Sequence, residues 1–258
     1  MTVKPKKHLG QHFLVDKNTS KKIAQQFIGF RGCKTALEIG PGTGALTVYL
    51  LEQEDVDLHV MEVDRDSIAF LNEHYPVLKN KIHNEDFLKT DLTEIFGNRP
   101  FAVVGNFPYN ISSQILFKCI EYRNQIPEIM GMFQKEVAVR VAEKPGSKAY
   151  GILSVLLQTY YDIEYCFTVD ENVFNPPPKV KSGVIRCTRN DRDKLECDEK
   201  LFKQVVKATF NQRRKTIRNG LKILVDVKKI THPFLDRRAE TLSVDEFIEL
   251  TGAVQKAL

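Results

Sequence analysis

Nothing in this sequence points to a membrane, a metal or a disulfide framework. No apolar run approaches the roughly 20 residues that a spanning helix needs, and no basic-then-apolar leader opens the chain. The five cysteines (Cys33, Cys119, Cys166, Cys187 and Cys197) are odd in number and scattered, with no Cys-x-x-Cys pair and no Cys/His cluster. The six histidines form no metal-ligand or catalytic pattern. Internal repeats and low-complexity segments are missing as well. These absences exclude a disulfide scaffold and a zinc module, and they lead us to expect a cytoplasmic, metal-free monomer with no membrane contact. Neither sign of charge dominates: 38 Lys and Arg stand against 33 Asp and Glu, a net +5. A polyanionic partner therefore has to be argued from where the basic residues lie.

What is present is a globular composition, 42% hydrophobic and 28% charged over 258 residues, enough for one large domain and a small one. Thr35 to Ile39, Val56 to Met61, Lys81 to His83, Phe101 to Val104, Ile129 to Phe133, Asp162 to Val169 and Gly183 to Cys187 read as strands. Helical patterns alternate with most of them, which predicts an α/β fold with a mainly parallel sheet. Asp16 is positioned to cap an early helix ended by Gly29. From Asn190 the chain turns charged and then helical, so a large α/β domain over residues 1–189 and a small all-α domain over 190–258 are expected. Ser243-Val244-Asp245-Glu246 is a capping box for a last helix, predicted to stop at Gly252.

Two motifs carry chemistry. Gly40-Pro41-Gly42-Thr43-Gly44 turns the first strand into a helix, and Glu62 ends the next strand where a ribose-binding acid belongs. A dinucleotide pyrophosphate and a sulfonium cofactor both use such a turn. Pro41 removes one backbone donor and Glu38 places a carboxylate there, which repels a dianion and attracts a cation. S-adenosylmethionine has the matching charge, and Asp86 after the third strand is placed to accept from its adenine amine.

The second motif is Asn106-Phe107-Pro108-Tyr109, directly after the buried strand. Pro108 drives Phe107 into an extended conformation, holding the Phe107 carbonyl outward beside the Asn106 side chain. Two acceptors on a stiff corner suit an exocyclic amine, and Tyr109 offers a flat face to its ring. A plain strand-end turn with a packed tyrosine has the same sequence. Phe174, held by Pro176-Pro177-Pro178, is predicted to be a second aromatic plate opposite Tyr109. Two basic clusters complete the picture: the arm Lys4, Lys6 and Lys7, and Arg213, Arg214, Lys215 and Arg218 among the C-terminal helices. Each is either a solvated face or a phosphate-contacting one.

Taken together, Gly10 to Leu14, Glu38 to Gly44, Glu62 to Asp64, Asp86, Gly105 to Ser112, Phe174 to Ser182 and Arg238 to Leu242 resemble the KsgA/Dim family of small-subunit ribosomal RNA adenine dimethyltransferases. The stretches run in order across nearly the whole chain. The resemblance implies a Rossmann-like class I methyltransferase with a seven-stranded, mainly parallel sheet and a small helical C-terminal domain. It implies S-adenosylmethionine contacts at His12, Leu14, Gly40, Glu62, Asp86 and Asn106. The implied reaction is dimethylation of N6 on two adjacent adenines in the 3′-terminal hairpin loop of 16S rRNA, in the small subunit or its precursor, linked to subunit assembly. Phe107 stands where the family usually has Leu or Ile, and His12 where many members have Asn. Large-subunit 23S adenine dimethyltransferases share the same motifs, and a non-catalytic assembly factor could share the fold. A DNA adenine methyltransferase fits less well, because no target-recognition domain is evident.

Overall fold

The computed structural model describes residues 3–258. It divides into two compact units: one runs to Ala138 and resumes over Asp162–Arg189, and the other comprises Val139–Tyr161 and Asn190–Leu258. The boundary expected at residue 190 is therefore only half of the division, because residues 139–161, assigned from sequence to the methyltransferase domain, group with the C-terminal helices.

In chain order the elements are β1 (Phe13–Leu14), α1 (Lys17–Ala24), β2 (Thr35–Ile39), α2 (Thr47–Leu51), β3 (Asp57–Met61), α3 (Arg65–His74) and β4 (Ile82–His83). There follow α4 (Leu92–Phe96), β5 (Ala102–Asn106), α5 (Ser112–Glu121), β6 (Glu128–Gln134), α6 (Lys135–Ala142), α7 (Ile152–Gln158), β7 (Tyr161–Val169), β8 (Phe174–Asn175) and β9 (Ser182–Arg189). The chain ends with α8 (Glu199–Asn211), α9 (Ile217–Leu221) and α10 (Val244–Ala257).

All seven strands expected from sequence form one sheet, in the order β4-β3-β2-β5-β6-β9-β7. β2 pairs in parallel with β3 and β5, and β5 with β6, while β9 runs antiparallel to β6. Ala36, Leu37 and Ile39 of β2 are all buried, as a parallel strand covered on both faces requires. The order reverses at β2, so β3 lies on one side and β5 on the other. Ligands of open α/β sheets bind at the carboxyl ends beside such a switch point.

Caps decide where the helices begin. The side chains of Asp16, Asp64, Asp91 and Asp198 each accept a backbone N–H from the first turn of the helix that follows. Ser243 and Glu246 form the expected reciprocal capping box. Two predicted helix ends are corrected. α1 stops at Ala24 rather than Gly29, and α10 runs through Gly252 to Ala257. Gly252 lies inside α10 without a positive φ, so that glycine marks no turn.

In the second unit, the buried faces of α8 (Phe202, Val205, Val206 and Phe210) and α10 (Phe247, Leu250 and Val254) supply a core of its own. The Phe210 and Phe247 rings stack at 5.8 Å. Among the described residues, no helix is long and apolar enough to cross a membrane, and no group of three or more His, Cys, Asp or Glu could hold a metal ion.

Candidate active site

A cavity of about 250 Å³ opens at the carboxyl ends of β2, β3 and β5, and its wall includes His12, Leu14, Gly40, Glu62, Asp86 and Asn106 together. These six are the contacts that the resemblance implies, at positions as far apart as Asn106 and His12, 94 residues. The fold is what gathers them.

The glycine turn is held by the acid that follows it. Glu62 Oε2 accepts Gly42 N–H at 3.2 Å, and Oε1 accepts Val63 and Asp64 N–H at 2.8 and 2.9 Å. Gly42 has φ 57°, and a Cβ there would fall 2.9 Å from the Phe13 ring, so both backbone shape and space require glycine. Burial raises the Glu62 carboxyl, and the three N–H donors oppose that rise. Glu38 is also buried, and Thr47 Oγ1 donates to its Oε2 at 2.7 Å. Burial pushes Glu38 up to about 8, with the neighbouring Glu62 acting in the same direction and Thr47 against it. Asp86 is half-buried; its Oδ1 accepts Leu88 N–H at 3.0 Å and its Oδ2 pairs with exposed Lys89 at 3.4 Å.

This donor set tests which cofactor fits. The Gly42 N–H that a pyrophosphate would need is already spent on Glu62, and no Lys or Arg lines the cavity. Two buried carboxyl groups do line it. A polyanion would find no lysine or arginine there, whereas a sulfonium with an amino group would meet two carboxyl groups whose ionised form a cation favours. The residues fit S-adenosylmethionine.

Residues 8–14 of the N-terminal arm form one wall of the same cavity. Lys6 Nζ lies 2.5 Å from Asp64 Oδ1 and 2.8 Å from Asp66 Oδ2, and Gln11 Nε2 donates to Asp64 Oδ2 at 3.1 Å. Lys6, expected at an RNA surface, is thus engaged within the protein, while Lys4 and Lys7 are exposed. Beyond these contacts, β1 pairs with β8 so that Leu14 stands opposite Phe174. Phe174 is buried in the hydrophobic core and is not part of the cavity wall. Its predicted place as a plate facing Tyr109 is corrected by this pairing, which turns the ring inward. The ring found over Tyr109 is that of His12, with centroids 5.7 Å apart and planes at 26°.

The corner after β5 is rigid for reasons that can be named. Phe107 N–H donates to Met132 O at 3.1 Å. The Phe107 ring packs on Phe133 with centroids 4.8 Å apart, in space left by Gly131, where a Cβ would sit 2.4 Å from that ring and 2.3 Å from Gly105 O. The ring that departs from the usual Leu or Ile is therefore seated by Gly131. Asn106 Nδ2 donates to His12 O at 3.1 Å, which leaves Oδ1 turned to accept. Among the described residues, no donor bonds the Phe107 carbonyl. Sequence reasoning gave no role to Gly131, Thr47, Gln11, or to Ser112 and Ser182, which hydrogen-bond Tyr109. Only Gly131 carried a signal, as an isolated glycine inside an apolar strand, which marks a close approach.

In the second unit, two of the four basic residues have acidic partners. Arg213 pairs with Glu240 at 3.2 Å and also donates to Ser147 O, and Arg218 pairs with Asp236 at 3.1 Å. Arg214 and Lys215 are exposed, and among the described residues nothing pairs with them.

The strand order, the cation-favouring cavity at the switch point and the amine-matched corner define a class I, Rossmann-like methyltransferase that uses S-adenosylmethionine. The fold is matched by the crystal structure of a dimethyladenosine transferase from Plasmodium falciparum (TM-score 0.78, 22% identity, covering 95% of this chain and 98% of that one). It is also matched by that of the 23S rRNA methyltransferase ErmE (TM-score 0.66, 24% identity, 93% and 99%).

The family model described as "Ribosomal RNA adenine dimethylase" matches residues 2–256. Two similar proteins are named "Ribosomal RNA small subunit methyltransferase A". The one from Flavobacterium johnsoniae is 56% identical over 254 residues (98% of this chain, 97% of the relative), and the one from Parabacteroides distasonis is 57% identical over 258 residues (99% and 96%). The chain belongs to the ribosomal RNA adenine dimethylase family.

Proposed function

We propose that this protein methylates N6 of two adjacent adenines in the 3′-terminal hairpin loop of 16S rRNA, twice each, within the small subunit or its precursor in the cytoplasm. The reading is supported at the level of the chain by full-length relatives at 51–57% identity named for the small subunit. The observation that carries it is the pair of acceptors, Asn106 Oδ1 and the Phe107 carbonyl, on a corner fixed by Pro108 and by the Phe107 N–H bond to Met132 O.

When bound, the cofactor supplies an electrophilic methyl group on sulfur. Glu62 would accept from its ribose, Glu38 would face its positive charge and Asp86 its adenine edge, while His12, Leu14 and Gly40 line the cavity that would hold it. The chain's own task is to make a poor nucleophile reactive. The adenine N6 lone pair is delocalised into the ring. Acceptors that hold both N–H groups favour a pyramidal nitrogen and free that pair. Positive charge develops on N6 as it reacts, so the two acceptors bind the transition state more tightly than the ground state. No strong base is required; placement and fixed dipoles do the work. Tyr109 supplies a stacking face for the extruded base, a contact of about 1–3 kcal/mol. Lys4, Lys7, Arg214 and Lys215, exposed in the structure, are free to meet phosphates, whereas Lys6, Arg213 and Arg218 have partners.

Transfer from labelled S-adenosylmethionine to isolated small subunits, with large subunits and DNA in parallel, tests the proposal. Label on small-subunit RNA alone supports it. Label on large-subunit RNA would favour a 23S enzyme, and no label on any of the three would leave only an assembly role.

A further inference from the structure

Tyr109 is held at both ends. Ser112 Oγ donates to its carbonyl at 3.1 Å, and its hydroxyl shares a 2.5 Å hydrogen bond with Ser182 Oγ. Ser182 is wholly buried and opens β9 opposite Gln134 of β6, where Lys135 N–H donates to Lys181 O and closes the ladder. Among the described residues, its hydroxyl has no other side-chain partner. Burial raises the Tyr109 phenol, so the group stays protonated and able to share this bond. The strand that carries Ser182 is paired to the one that seats the Phe107 ring through Phe133, with Phe133 opposite Gly183. The acceptor corner and the tyrosine plane therefore rest on one two-stranded support.

We propose that Ser182 is a positioning residue for base methylation, fixing through the Tyr109 hydroxyl the plane against which the target adenine stacks. The inference rests on the reading of Tyr109 as the stacking face. Without Ser182 the phenol is left buried and unpaired, or its ring turns to find another partner. Either outcome moves the base relative to the two acceptors, and small misplacements of a reacting group are costly in rate.

The test compares Ser182→Ala, Tyr109→Phe and the double variant in single-turnover methyl transfer to small subunits at saturating cofactor. Each single change should slow transfer about tenfold. The double should be no slower than either single, because both remove the same bond. Ser182→Thr, which keeps a hydroxyl, should restore most of the rate, and cofactor affinity should stay at its wild-type value throughout. Transfer by Ser182→Ala at the wild-type rate, or losses that multiply in the double variant, would overturn the proposal.

A second readout needs no substrate. In protein carrying ring-labelled tyrosine, the Tyr109 signal, assigned by its loss in Tyr109→Phe, should shift or broaden in Ser182→Ala. If wild-type protein labels no RNA but this signal moves, the functional reading fails while the hold of Ser182 on the Tyr109 ring stands on its own. An unmoved signal, even with a lowered melting temperature, makes Ser182 a packing residue and ends the proposal.

Discussion

At the scale of single residues, the proposed chemistry can be tested at two side chains. Asn106→Ala removes one acceptor while leaving the cofactor cavity largely intact, and should lower kcat by roughly 10²–10³, by analogy with the loss of one oxyanion-hole donor. Single-turnover rates check this, and near-wild-type turnover would remove Asn106 from the mechanism. Glu38 is the other. Pushed up to about 8, it is mostly protonated at pH 7 in the free protein, and a cation beside it favours the ionised form. Cofactor binding at pH 7 should therefore expel a proton, and affinity should rise with pH until about 8. Calorimetry in two buffers of different ionisation enthalpy measures that proton directly; Glu38→Gln should abolish the buffer dependence and weaken binding. The same group has a stability signature of known sign. Between its ordinary value of 4.5 and about 8, the folded protein keeps a proton that the unfolded chain has lost. Its contribution to stability therefore declines as pH rises through that window. Glu38 and Asn106 were legible in the sequence because each sits near a strand end close to a glycine or proline. Thr47, which holds Glu38, was not, since one threonine inside a helix looks like any other.

At the scale of elements, the short edge strand β4 carries a pH-sensitive contact. His59 Nδ1 and His83 Nε2 lie 3.0 Å apart with their rings stacked, and Lys81 on the same edge pairs with Asp57 at 2.7 Å. Burial lowers both imidazoles; Asp57 opposes this at His59 and Glu85 at His83, while His83 and Lys81 lower His59 further. Folded values below the ordinary 6.5 mean that the native state resists protonation. Their stabilising contribution is present above about 6.5 and is lost as pH falls below it. Thermal melting from pH 7.5 to 5 should show that loss, and His83→Gln should flatten it; an equally steep curve would contradict the account.

A second element-level prediction concerns β6. A Cβ at Gly131 would fall 2.3 Å from Gly105 O, so Gly131→Ala should destabilise the fold by about 1–3 kcal/mol, measured by denaturant unfolding. The seven sheet strands were readable from apolar runs between turn signals. The β1–β8 pair was not, because two-residue strands have no period and its partners lie more than 150 positions apart, as Phe13 and Asn175 show. That pair also explains why Phe174 looked like an exposed plate from sequence and packs inward in the structure.

At the scale of the whole molecule, charge is sorted by pairing more than by count. Lys6, Arg213 and Arg218 read as free cations in sequence, but acids at distant positions (Asp64, Glu240 and Asp236) engage them. Such pairs are invisible without the fold. Arg214 and Lys215 keep their charge exposed, so reversing both to Glu should weaken RNA binding and reduce its salt slope by about two. An unchanged slope would return them to the solvated surface. The division of the chain shows the same limit: the charged run at residue 190 was visible, but the grouping of residues 139–161 with the C-terminal helices depends on contacts made after folding.

The most direct measurement is mass spectrometry of the 3′ segment of small-subunit RNA after complete reaction with the purified protein. The account predicts two neighbouring adenines, each carrying two methyl groups on N6, with none formed by Asn106→Ala on the same timescale. Methyl groups on another atom or another base, or undiminished dimethylation by Asn106→Ala, would contradict it.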